Sequence, residues 1–421
     1  MKPFYIPVDL QINILLGLPL KSLLRFRCVS KLWSSIITSR DFRNMHLNIT
    51  APPRLLIVFA DFYGEKILVA STPNPNAPSH SSSSNKDLIL VKTEGKKVYN
   101  ACQGLICIGA GFKDVGICNP SKNRQCSKKK KEKAKKRQVH TFPYFRFKYI
   151  PQNFPRAMYM LGYDPVEDQY KVLALDVWRS RLEHKVAVLG SGEETWREAP
   201  CVAYPHVVCT RGLYMSGTIY YGAYHTDSPH DPVIPKKTKS IIGRFDVRLE
   251  TFTIIKVPSR LVPTGYHSMW LAEPRESTLT DKTLINYRGR IGVVENPREG
   301  SFRLWVLEDA EKEVWSMNTF ALPESAAGLD FKVMETFSSG EVCLVPKKLS
   351  DPFCLFYYNL EEKGMRSVTI EGLPMSELKK AQTRSFSNSF SVSVSDHYEN
   401  SMSVVQKKKK RTPCPSKTEV N

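Results

Sequence analysis

Ile6-Pro7-Val8-Asp9-Leu10, Ile14-Leu15, Leu18-Pro19 and Lys21-Ser22-Leu23-Leu24-Arg25-Phe26-Arg27-Cys28-Val29-Ser30-Lys31-Leu32-Trp33 lie near the start of the chain, and the rest of it is organised around them. Leu10, Ile14, Leu15 and Leu18 recur at i, i+4, i+5 and i+8, a spacing that predicts a helix from Val8 to Leu16 with those side chains on one face. Pro7 suits its entry and Gly17 its exit. Pro19 fixes φ at the start of a second helix, in which Leu20, Leu23, Leu24 and Cys28 share a face. Ser30 is the expected N-cap of a third, carrying Leu32, Trp33, Ile36 and Ile37. Arg25, Arg27, Lys31 and Arg40 are left outside.

Three such short helices carry about fifteen apolar side chains and cannot bury them all against one another, because a unit this small encloses little of its own surface. The excess must meet something else, either a partner or the domain that follows. The residues quoted above, with Phe42, closely resemble a plant-type F-box. That resemblance implies a module that docks on a Skp-type adaptor and through it on the cullin of an SCF ubiquitin ligase. The docking face would be Pro7, Leu10, Ile14, Leu15, Leu18, Pro19, Leu23, Leu24, Val29 and Trp33.

With 421 residues and 42% hydrophobic content, the chain has material for two folded domains. No segment approaches the ~18 uninterrupted apolar residues of a membrane span, and Asp9, Gln11 and Asn13 break any signal-peptide core; a soluble intracellular protein is expected. The ten cysteines show no C-x-x-C and no metal spacing with histidine, and read as reduced, mostly buried thiols. The net charge of +20 invites a nucleic-acid reading, but Lys128–Arg137 holds +7 of it and Lys407–Arg411 holds +5. The remainder is an ordinary surface, so no specific nucleic-acid partner is expected.

From residue 54 the hydrophobic period changes from 3.6 to 2, and short aromatic and β-branched strands alternate with Gly, Asp, Asn and Pro. A loose repeat runs through this part: a Gly-led apolar strand, a strand ending in Asp or Asn, a polar turn, and a strand bearing Trp or Phe. Asn119, Asp164, Asp246, Glu308 and Asn359 mark its copies, and the shorter intervals suit four-stranded propeller blades. A pair of β-sandwiches is the alternative. Gly162-Tyr163-Asp164-Pro165, Tyr170-Lys171-Val172, Trp196-Arg197, Gly217-x-Ile219-Tyr220-Tyr221 and Phe245-Asp246 resemble the plant F-box-associated domain, a kelch-like β-propeller, over about residues 100 to 372. The expected fold is α+β multidomain: an all-α F-box over 1–47, an all-β propeller-like domain over 54–375, and a mostly disordered Ser-rich and basic tail over 376–421, in which 389–394 is a candidate edge strand.

No catalytic constellation is visible. Gly190-Ser191-Gly192 lacks the spacing of a nucleophile elbow and suits a hairpin turn. His225, Asp227, His230 and Asp231 occupy a Pro-containing connection with no second-shell partner to name. Gly109-x-Gly111 lacks a following helix. Trp178, Trp196, Trp305 and Trp315 read as core. No cofactor and no metal are expected. Three functions remain: a substrate receptor for ubiquitin ligation, a β-propeller enzyme, and a basic nucleic-acid-associated protein. The first is favoured, with an unidentified protein substrate held by loops, 204–216 and 225–239 being the candidates. Lys407, Lys408, Lys409, Lys410 and Arg411 form a candidate nuclear-import signal, so the expected location is nucleus, cytoplasm or both.

Overall fold

A computed structural model describes residues 6–18, 20–49, 54–61, 66–74, 88–94, 97–109, 115–122, 139–143, 145, 157–176, 184–190, 195–199, 206–208, 210–226, 238–258, 282–334, 340–384, 390–398 and 400. The N-terminal part holds four helices: α1 (Val8–Leu16), α2 (Leu20–Phe26), α3 (Lys31–Thr38) and α4 (Arg40–Ile49). The sequence reading found three. It missed α4 because Arg40–Ile49 is mostly polar and holds few apolar residues, yet it is anchored by Phe42, which is buried in the module's core.

The described strands after the helices form a six-bladed β-propeller. Blade 1 is Lys97–Cys102, Leu105–Gly109, Val115–Cys118 and Val139–Thr141. Blade 2 is Ala157–Asp164, Gln169–Asp176, His184–Val188 and Arg197–Glu198. In blade 3 the first strand is split into His206–Val208 and Leu213–Met215, both antiparallel to Thr218–Thr226, which leads to Thr238–Asp246 and Phe252–Lys256. Blade 4 is Lys282–Tyr287, Arg290–Glu295, Ser301–Asp309 and Val314–Ala321, and blade 5 is Phe331–Val333, Glu341–Pro346, Phe353–Asn359 and Gly364–Ile370. First strands of several blades touch one another, as in blades 1 and 2 and blades 3 and 4, and so face the propeller axis.

Blade 6 closes the ring with both ends of the domain. Its first strand, Phe390–His397, pairs along its whole length with Arg54–Asp61, which is followed by Lys66–Pro73 and Ile89–Glu94. Two expectations are corrected here. The propeller does not end at 375, because α5 (Met375–Arg384) packs Met375 and Leu378 into the core of blade 6. Nor is the 389–394 region an edge: it belongs to an inner strand whose Val394 is buried. Alternating serines resemble a solvated edge, but Ser393 and Ser395 line a small cavity whose walls include Leu56, Val58 and Arg211.

The repeat has a physical basis in its turns. Asp164 Oδ1 accepts from the Val166 and Glu167 N–H groups (2.9 and 3.2 Å), and Asp246 does the same for Arg248 and Leu249 (2.9 and 2.8 Å). Asp309 caps Glu311 and Lys312, and Asn359 caps Glu361 and Glu362. Four residues after each capping group the chain passes through positive φ, at Asp168, Glu250, Glu313 and Lys363. Short polar side chains that bond their own turn make such a hairpin tight. Two register errors in the sequence reading follow. The blade 4 marker is Asp309 rather than Glu308, and Asp164 ends a first strand whereas Asp246, Asp309 and Asn359 end third strands.

In an antiparallel four-stranded blade the first-to-second and third-to-fourth turns lie at one end, the other connections at the opposite end. All four capped hairpins therefore share an end. Arg54 enters and His397 leaves there too, being paired with each other, so the helical module joins at the hairpin end.

Candidate functional site

The helical module is built around Leu15, Leu16, Leu23, Ile36, Ile37 and Phe42, with Ile12, Leu18, Phe26 and Trp33 packed against them. The Trp33 ring meets Phe26 edge-on at 5.3 Å. Its indole N–H donates to Gln11 Oε1 at 2.6 Å, and Gln11 Nε2 donates to the Ile6 carbonyl at 2.7 Å. A half-buried indole N–H needs an acceptor, so Gln11 is drawn inward. That turns α1: Gln11, Leu15 and Leu16 face the core, and Leu10 and Ile14 face out. The single face predicted for Leu10, Ile14, Leu15 and Leu18 is split. Ser30 caps α3 as expected, its hydroxyl accepting from the Trp33 N–H at 3.0 Å. Ser39 joins α3 to α4, donating to the Ile36 carbonyl (2.8 Å) and accepting from the Phe42 N–H (3.2 Å).

Outside this core an apolar stripe remains. Leu10 and Ile14, one turn apart on α1, are 54% and 52% exposed and stand one above the other, and Ile6, 45% exposed, lies just before the helix. Of the predicted docking residues, Pro7, Leu10, Ile14 and Val29 are at the surface, Leu18, Leu24 and Trp33 are half-buried, and Leu15 and Leu23 are sealed inside the module. In this arrangement Leu15 and Leu23 hold the stripe in place and present no surface of their own. Pro19 lies outside the described residues, as do Lys407–Arg411. Sequence reasoning missed Ile6, Val8 and Leu32 as surface groups. Leu32 belongs to the third helix as expected, but it turns outward while Ile36 and Ile37 are buried. Exposed Arg25, Arg27 and Lys31 border the α2–α3 turn.

The buried titratable groups of the propeller serve its architecture. Glu250, in the blade 3 hairpin, accepts from Lys171 Nζ of blade 2 at 2.8 Å and takes both terminal nitrogens of Arg197. Burial pushes its carboxyl up, but the hydrogen bonds from Arg197 and Lys171 outweigh that and hold it below the usual range. His184 stacks on Phe252 at 4.4 Å and lies beside His206, which meets the Tyr221 hydroxyl at 3.0 Å. Burial, then the neighbouring His206, lowers its pKa to about 3. Burial pushes the Cys118 thiol up to about 12. The six described cysteines are free thiols, and among the described residues no cluster of His, Cys, Asp and Glu is arranged to hold a metal.

The loops proposed for substrate fare differently. Residues 206–208 and 213–215 of the 204–216 segment are the split inner strand of blade 3, with His206 buried. The 225–239 connection joins Thr218–Thr226 to Thr238–Asp246 at the end opposite the helices, and its residues 227–237 lie outside the described set, with Asp227, His230 and Asp231 among them. Of the four tryptophans, Trp305 is buried, Trp196 and Trp315 are half-buried against blade cores, and Trp178 lies outside the described residues.

Residues 5–45 match the F-box domain and residues 54–398 the F-box associated beta propeller domain. F-box protein At3g47150 of Arabidopsis thaliana is 50% identical over 407 residues, covering 95% of this chain and 97% of that one. F-box protein DOR of the same plant is 32% identical over 391 residues, covering 87% and 88%. Among solved structures, apo AztD from Citrobacter koseri aligns at a TM-score of 0.37 with 9% identity, over 77% of this chain and 85% of that one, too low to bear on the fold. The helical module, the six blades and the agreement along nearly the whole chain have one meaning: the protein belongs to the F-box family, in the branch whose second domain is an F-box-associated β-propeller.

Proposed function

We propose that the chain is the substrate-recognition subunit of an SCF-type cullin-RING ubiquitin ligase, with the helical module seated on a Skp-type adaptor and the propeller holding a target protein for ubiquitination. The observation that carries this reading is the exposed apolar row of Leu10 and Ile14 on α1, with Ile6 exposed just before the helix, on a module whose own core is already filled. An apolar row of this kind outside a packed core is a surface meant to be covered. In this role the chain performs no bond chemistry. It raises the local concentration of a substrate lysine near a ubiquitin-loaded enzyme, which is catalysis by proximity.

Leu10→Asp with Ile14→Asp tests the docking. Both side chains point outward, so the variant should melt like the wild type. It should lose adaptor by more than ~100-fold, since a hot-spot side chain contributes ~2–4 kcal/mol and each substitution also buries a charge. Wild-type capture of adaptor and cullin by this variant would rule out the row as the docking face.

Nuclear entry through Lys407–Arg411 belongs to the same proposal. Replacing those five residues by Ser in a fluorescent fusion should lower the nuclear-to-cytoplasmic ratio; an unchanged ratio, with 128–137 also neutralised, removes the signal.

A further inference from the structure

α4 is shared between the two domains. Phe42 and His46, one turn apart, face the helical module: Phe42 is in its core, the His46 ring stacks on it at 6.0 Å, and His46 Nε2 meets the Leu18 carbonyl oxygen at 3.1 Å. Arg40 and Arg43 leave from another side of the helix and reach the first hairpin of blade 2. Arg40 Nη1 donates to the Val166 carbonyl at 2.6 Å, and Arg43 Nη2 forms an ion pair with Asp168 Oδ2. Asp168 is held in turn, its Oδ1 accepting from the Tyr163 hydroxyl at 2.8 Å. The hairpin is stiffened by Asp164, which caps Val166 and Glu167. Arg43 and Asp168 are both largely withdrawn from solvent, at 27% and 19% side-chain exposure, so the pair is less screened than a surface one.

We infer that α4 is a strut: Arg43 and Arg40 lock the helical module onto the 164–169 hairpin, and Asp168 is the positioning residue that fixes the direction in which the propeller faces. This rests on the proposed receptor role. A receptor whose docking module swung freely would present its bound target over a wide arc, and transfer by proximity is sensitive to such misplacement. Two domains joined through the chain alone would have that freedom, whereas two arginines from one helix on one capped hairpin remove it. Asp168 sits at φ +53°, a conformation that Asn also tolerates, so Asp168→Asn removes the charge and leaves the turn intact.

The test uses the full chain with a spin-labelled amino acid introduced at Lys31 on α3 and Glu311 on blade 4, both exposed, and pulsed EPR to read the distance distribution. The wild type should give one narrow peak. Asp168→Asn and Arg43→Gln should broaden it about twofold as the hinge is released, while Arg43→Lys, which keeps the pair's charge, stays close to the wild-type width. Unchanged widths in both charge-removing variants would overturn the strut. In the second arm, each variant is assembled with Skp-type adaptor, cullin and RING subunits, and ubiquitin transfer to the chain's own lysines is followed by mass spectrometry. Adaptor affinity should be unchanged, while Asp168→Asn lowers the rate about tenfold and scatters the modified positions; unchanged rate and pattern count against positioning. Should the wild type itself fail to bind adaptor, the receptor role falls, and the EPR arm still decides whether the domains are locked.

Discussion

A chain ending at residue 389 is expected to lose the propeller altogether, and one ending at Asn400 to melt like the full-length protein. The shorter chain lacks Phe390–His397, the first strand of blade 6, which pairs in unbroken register with Arg54–Asp61. Phe390 and Val392 pack on the blade 6 core, and Val394 is part of it. Without that strand, the six buried residues Leu55–Ala60 would form an open hydrophobic edge, which invites aggregation. Removing a strand that contributes to the blade 5–blade 6 core and covers Arg54–Asp61 costs on the order of 5 kcal/mol or more, comparable with the stability of a marginal domain. A chain ending at residue 398 should be intermediate. It keeps the strand but loses Asn400, whose Nδ2 donates to the Gln103 carbonyl at 2.6 Å and the Tyr170 hydroxyl at 2.7 Å, and whose carbonyl accepts from Asn119 at 3.0 Å. Circular dichroism melts and gel filtration of the three chains check this order; a soluble monomer ending at residue 389 with the full-length melting temperature would refute it.

What was legible beforehand was what local chemistry alone decides. The Ser30 cap, the exit of α1 at Gly17 and the change of period at residue 54 depend on neighbours a few residues apart, and they stand in the structure as read. The Asp and Asn turns were legible as a repeat because each bonds its own backbone. Their register was not, since the first-to-second hairpin of blade 2 and the third-to-fourth hairpins of blades 3 to 5 use the same device. Only strand pairing tells them apart, and pairing is a non-local property.

The misses have the same origin. Residues 390–397 are an inner strand only because Arg54–Asp61, more than three hundred positions earlier, offers them an edge. Polar α4 is a helix anchored by one buried phenylalanine and by two arginines on a hairpin 125 residues away. The docking surface was half legible. The excess of apolar side chains over what three helices can bury follows from size, but which of Leu10, Leu15 and Leu23 stays outside depends on Gln11 turning in to meet Trp33.

Stability should fall steeply as the pH drops from 7 to 5, through two histidines that the fold keeps neutral. His397 of the closing strand is buried, its Nε2 3.3 Å from the Ser121 hydroxyl, and burial, then the charge of Arg54, lowers its pKa to about 3. His184 is lowered to the same value by burial and by His206. Neither ring has a partner at Nδ1 among the described residues that could hold a second proton. In the unfolded chain both return to about 6.5. Between those values the unfolded state binds more protons, so stability is complete above pH 6.5 and is lost as the pH falls towards 3. At pH 5 the loss is ~2 kcal/mol for each ring, together a large share of the stability of a marginal domain. The Glu250 carboxylate, held below its usual range, adds a loss of the same sign at lower pH. Urea denaturation at pH 7, 6 and 5 measures the slope, and His397→Gln, which keeps a polar group facing Ser121, should flatten it by about one proton's worth, ~2 kcal/mol between pH 7 and 5. His184→Leu should do the same at a site where the unpartnered Nδ1 is already a cost. A slope that survives both substitutions would mean that the folded protein accepts protons on these rings, and that burial at the blade 2–blade 3 seam and at the closing strand does not exclude charge.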